Sequence, residues 1–99
     1  MGDHRDMIRK GSIVRRKSNN SNPCSMIRYD VLRDLYPPES EICIVTSNPK
    51  EVDLSTHDKH YTGKTNLIVL KKGIEVVYNG KWYGPCDVNA FEEVKKNGQ

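Results

Sequence analysis

Five basic side chains, Arg9, Lys10, Arg15, Arg16 and Lys17, crowd the front of this chain. Such a cluster can neutralise phosphates and release their counterions, which gives nucleic-acid binding that weakens with salt. The same residues suit a solvated edge strand, where charge discourages pairing with foreign strands. On a strand Arg15 and Lys17 share one face and Arg16 takes the other, so no single face collects all five. The sole tryptophan, Trp82, stands beside Tyr83. Together with Tyr78 and Tyr61 these rings can stack on bases or peptide prolines, or they can simply fill a small core. Arg9, Lys10, Arg15, Arg16, Lys17, Trp82 and Tyr83 are therefore the candidate binding residues.

Asp53, His57, Asp58 and His60 form the densest group of titratable side chains. A histidine beside a carboxylate can serve as a general base, although a polar loop of this kind also reads as solvated surface. There is no nucleophile elbow, Walker loop or dinucleotide fingerprint. The chain is accordingly expected to be no enzyme and to carry no cofactor. Cys24, Cys43 and Cys86, with His57 and His60, supply zinc-type ligand atoms, but they lack a Cys-x-x-Cys knuckle and lie far apart, so no metal is expected. Cys43 sits in an apolar run and should be a buried small hydrophobe. Three cysteines is an odd number, which points to a reduced, cytoplasmic setting.

Whatever these residues do, short strands must position them. Ninety-nine residues suit one small domain. Hydrophobic residues make up 35% and charged residues 29%, with a mean hydropathy of −0.74. No apolar run approaches the length of a membrane helix, and the first residues carry no apolar signal region, so no membrane contact is expected. The net charge of +3 is uneven, because residues 1–17 hold six basic groups against Asp3 and Asp6.

Residues 1–7 and 95–99 read as flexible tails around a single domain over 8–94. Ile8 to Lys17 is a first strand opened by Gly11, followed by the polar loop Ser18–Pro23. Met26 to Tyr36 fits two periods. Ile27, Tyr29 and Val31 alternate as in a strand, while Ile27, Val31, Leu32, Leu35 and Tyr36 share a helical face with Ser25 as its cap. The balance tips slightly to a strand with a helical turn over Asp34–Tyr36, a short helix within 26–36 stays open as the alternative, and Pro37-Pro38 ends either. Glu41 to Thr46 is a strand. Residues 50–66 are a polar connection long enough to hide a strand near Val52–Leu54. Asn66 to Lys71 reads as a buried strand and Lys72-Gly73 as a turn.

Asn79-Gly80 lies between two β-rich runs and predicts a type I′ hairpin of Ile74–Tyr78 with Lys81–Gly84. In that register Trp82 opposes Val77 and Tyr83 opposes Val76, so Trp82 and Tyr83 fall on opposite faces. One should be core and the other exposed. Pro85–Ala90 is a connector with one helical turn, and Phe91–Val94 a short closing strand.

The opening Ile8-Arg-Lys-Gly-Ser-Ile-Val-Arg15 and the closing Ile74-Glu-Val-Val-Tyr-Asn-Gly-Lys-Trp-Tyr-Gly84, then Phe91-Glu-Glu-Val94, resemble the ends of a Src-homology-type small barrel of the KOW-like kind. Several short strands at close spacing with turn chemistry between them favour a small, mainly β barrel or sandwich of five or six strands, with room for a short helix within 26–36, and the resemblance selects the barrel. It also implies a binding module without choosing the ligand. Glu75, Asp87, Glu92 and Glu93 lie near the strands of a binding face and would repel phosphate. A protein partner, bound by a small regulator, inhibitor or complex subunit, is therefore expected ahead of RNA or DNA. The oligomeric state stays open.

Overall fold

Asn79 and Gly80 both take positive φ, 54° and 79°, the backbone that a two-residue I′ turn requires. This turn joins the two longest strands in a computed structural model that describes residues 8–18, 26–63 and 68–94. The expected tails, most of the Ser18–Pro23 loop, the Ser25 cap and Cys24 lie outside the described residues.

The described residues form six strands and one short helix. The strands are β1 (Ile13–Arg16), β2 (Ile42–Val45), β3 (Lys50–Asp53), β4 (Leu70–Tyr78), β5 (Lys81–Asp87) and β6 (Phe91–Glu93), and the helix is α1 (Tyr29–Leu35). All pairings are antiparallel. The nine-residue β4 is the spine. One of its edges carries β5, and the other carries β3 along the first half and β2 along the second. The sheet continues from β2 to β1 to β6 and curls into a half-barrel. A bulge between β4 and β5, where the register shifts between Ile74 and Val76, adds to the curl.

The concave side is the core. Val14, Cys43, Val45, Val76 and Tyr83 alternate inward along their strands and meet Ile74, Cys86, Ala90 and Phe91. Burial pushes the Cys43 thiol up to about 11 and the Cys86 thiol higher still, so both behave as small apolar groups.

Three expectations are corrected. Residues 29–35 form a helix, not a strand. A strand would place Tyr29 with Val31 on one side, yet Tyr29 is 75% exposed while Val31, Leu32 and Leu35 pack on the core. Seven residues are too few for an independent helix, so this packing sustains it. Lys72-Gly73 is not a turn either, because β4 runs straight through it from Leu70. The glycine instead permits close approach of β3, since a Cβ there would meet Val52 Cγ2 at 2.6 Å. Nor is the run before it buried: Ile68 and Leu70 are exposed, and Asn66 and Leu67 lie outside the described residues. The strand within the polar connection exists, at Lys50–Asp53, and the helical turn before the last strand is a 3-10 turn at Val88–Ala90.

Candidate functional site

Trp82 faces out and Tyr83 faces in, at 53% and 9% exposure. Their cross-strand partners are Val77 and Val76, as the turn chemistry dictates. The row containing Trp82 continues across the sheet. Val77 pairs with Ile44, and Ile44 with Ile13. Val94 lies next, its N–H bonded to the Ile13 carbonyl at 2.8 Å. Residues directly opposite share a face, so Trp82, Val77, Ile44, Ile13 and Val94 make one apolar line across five strands' width. Ile42, two residues from Ile44, extends it on the same face. Ile44 and Ile42 are exposed, and Ile13, Val77 and Val94 are half-buried. The adjacent row ends in Arg15 and Glu92, which are register partners and stand 3.7 Å apart as an ion pair.

The basic residues do not gather around this line. Arg9 and Lys10 are exposed in the turn before β1, where their N–H groups bond Ser12 Oγ and Asn48 Oδ1. Lys17 is half-buried beyond the other end of β1. Arg16 is 2% exposed. Its Nη1 donates to the Pro37 carbonyl at 2.6 Å, and its guanidinium lies 5.3 Å from the Tyr36 ring centre. Arg16 is thus a core strut between β1 and the end of α1, and what little of it is exposed lies at the base of an open groove of about 360 Å³ with Tyr29, Arg33 and Glu39, away from Trp82. Tyr83 and Tyr29 have cations of their own, Lys81 at 5.1 Å and Arg33 at 5.8 Å from the ring centres.

A second cluster, which sequence reading missed in part, lies where the end of α1, the 3-10 turn Ser55–His57 and the end of β5 meet. Tyr36, His57 and Asp87 are all buried. The Asp87 N–H donates to Tyr36 Oη at 2.9 Å, and Tyr36 Oη lies 3.0 Å from His57 Nδ1. With the phenol oxygen already accepting, its own hydrogen is satisfied if His57 Nδ1 accepts, which assigns the neutral ring's hydrogen to Nε2. Burial pushes the Tyr36 phenol far up, so it stays a donor throughout the physiological range.

The carboxylates near His57 in sequence do other work. Asp53 Oδ1 accepts from the N–H groups of Ser55 and Val69, and Asp58 Oδ1 accepts from that of His60. These hydrogen bonds hold the Asp53 carboxyl below its usual range. His57 therefore has a phenol, not Asp53 or Asp58, at its Nδ1, and the acid–base pairing suggested by spacing is not assembled. A cavity of about 60 Å³ adjoins the cluster, lined by His57, Tyr36, Asp58, Lys71 and Asp87 with Ile27 and Leu54 as its apolar wall. That volume holds a few waters. Lys71 Nζ stands 3.6 Å from Asp87 Oδ2.

Among the described residues no group of three or more His, Cys, Asp or Glu side chains could hold a metal ion. No described helix is long and apolar enough to cross a membrane. No family model matches the chain, and comparison with curated proteins and with solved structures returns no match.

Proposed function

We propose that the chain is a non-enzymatic protein-interaction module, a regulator, inhibitor or complex subunit of the cytoplasm, that docks through the outer line Trp82–Val77–Ile44–Ile13–Val94. The observation that carries the reading is the setting of Trp82, whose neighbours across the sheet are apolar and not cationic. An exposed tryptophan among aliphatic residues, rimmed by an ion pair, has the composition of an interface centre. On the order of 300–400 Å² of apolar side chain is on offer, the size of a functional patch on an ordinary monomer. A line on the outside of a curled sheet is convex, which suits a partner with an apolar groove. The half-barrel and the order β5, 3-10 turn, β6 support the kinship with Src-homology-type barrels suggested by the sequence.

Affinity capture from the native host tests the reading. The wild-type chain should retain one stoichiometric protein. Trp82→Ala should weaken that retention by about 2 kcal/mol, roughly thirtyfold, as hot-spot truncations do. Ile44→Glu, at an exposed position, should abolish it with the circular dichroism spectrum unchanged. Arg9→Ser with Lys10→Ser should leave it intact. The opposite pattern, with retention surviving Ile44→Glu but lost to the basic-residue pair and to added salt, would replace the protein partner with nucleic acid.

A further inference from the structure

We infer that Tyr36 and His57 form an acid-sensitive latch, which holds the end of α1 and the Ser55–His57 turn against β5 at neutral pH and releases them when His57 takes a second ring proton. The geometry supplies the argument. One phenol oxygen ties three segments that are distant in sequence: Tyr36 caps α1, His57 ends a 3-10 turn, and Asp87 ends β5. Arg28 also ties that turn: its N–H donates to the His57 carbonyl at 2.7 Å, and its Nη1 donates to the Thr56 carbonyl at 3.2 Å. Ile27 makes an isolated bridge with Asp58. Among the described residues the other ties hold the flanks of that turn: Ser55 N–H donates to Asp53 Oδ1 at 3.0 Å and Lys59 N–H to the Met26 carbonyl at 3.0 Å.

Protonation strikes at the centre of this arrangement. The phenol donates to Nδ1 only while Nδ1 keeps its lone pair. An imidazolium turns that nitrogen into a donor facing a phenol whose oxygen already accepts from Asp87 N–H. The phenol hydrogen then loses its acceptor in a buried setting, where an unmatched polar group is costly. The charged groups around the ring pull both ways. Burial is the largest influence and lowers the His57 value from 6.5, Arg28 lowers it further, and Asp87 raises it. Asp58 and Lys71 complete the charged lining of the cavity beside the ring. A ring whose closed form binds protons less readily than its open form favours opening as pH falls. The shift begins as pH drops through 6.5, the value of the free ring, and ends below the value in the closed form.

Amide hydrogen exchange of the full chain between pH 7 and pH 5 reads the latch directly. The rates are corrected for the intrinsic pH dependence and compared with the amides of Val45 and Thr46 in the core sheet, which bond Ser12 and Glu75 carbonyls. The Arg28 and Asp87 amides should lose at least tenfold of their protection relative to Val45 over that interval. His57→Gln offers the phenol a carbonyl acceptor that does not titrate, so its protection should stay flat with pH. Tyr36→Phe should show weak protection of Asp87 at both pH values. Constant protection ratios in the wild type would overturn the latch, as would an unchanged pH response in His57→Gln. Equal loss at Val45 and Arg28 would also overturn it, because the whole domain would then be opening.

Discussion

Replacing Gly84 by alanine is expected to bring the domain close to its unfolding limit. Gly84 has φ +147°, a region that side chains other than hydrogen rarely enter. A Cβ there would lie 2.9 Å from Glu75 Cγ, 3.1 Å from Glu75 Cα and 3.2 Å from the Ile74 carbonyl oxygen. Two of these three atoms are backbone of β4, the spine of the sheet, and cannot swing away. Dihedral strain of about 1–3 kcal/mol and overpacking of a similar size add to roughly 2–6 kcal/mol. A small domain has about 5–15 kcal/mol in total. Urea unfolding should therefore show a midpoint lower by a molar or more. Gly80→Ala is the matched control. Its φ is +79° and nothing lies within 4 Å of the added carbon. It carries the dihedral penalty alone, about 1–2 kcal/mol. Equal midpoints for the two variants would mean that β4 and β5 do not approach at Gly84 as described.

Tyr36→Ala should cost nearly as much. Tyr36 is 2% exposed and meets three side chains through its ring. Phe91 stacks at 6.4 Å between centroids, His57 packs edge-on at 5.7 Å, and the Arg16 guanidinium stands 5.3 Å from the ring centre. Truncation of a buried aromatic costs about 3–5 kcal/mol. It also takes away the platform beneath a buried cation. Tyr36→Phe divides the cost, because it keeps the ring and removes only Oη. The Asp87 N–H and His57 Nδ1 then lose their partner, at about 1–3 kcal/mol. Urea midpoints should rank wild type, Phe, Ala in falling order. A Phe variant as stable as wild type would show that the phenol oxygen contributes no hydrogen bonding of consequence.

These two residues mark the limits of sequence reading here. Where local chemistry decides, the sequence was legible. Asn79-Gly80 demands a particular turn, the turn sets the register, and the register separates Trp82 from Tyr83 with no knowledge of the rest of the chain. Where a distant partner decides, it was not. Gly73 resembles a turn glycine, but its role comes from Val52 on another strand. The period over 26–36 was ambiguous because Tyr29 can count as apolar; its exposure follows from where the helix lies against the core. Arg16 reads as one of five basic surface residues until Pro37 and Tyr36 enclose it. Tyr36 and His57 are 21 residues apart and Tyr36 and Asp87 are 51 apart, so no spacing pattern could have joined them. The outer apolar line was half visible, since the hairpin paired Trp82 with Val77, while Ile44 and Ile13 entered only through the order of the strands.

The face proposed for docking carries the chain's sole tryptophan, so a single probe can report on it. The most direct test labels the chain with 5-fluorotryptophan and follows its one fluorine resonance, first in dilute purified protein and then in extract of the native host. In the purified chain the resonance should show the large H2O-to-D2O shift of an exposed indole. In extract it should move or broaden and lose that solvent shift, before and after nuclease treatment alike, and Ile44→Glu should prevent the change. A resonance that keeps its position and solvent shift in extract, or a change that disappears once nucleic acid is digested, would contradict the assignment of this face to a protein partner.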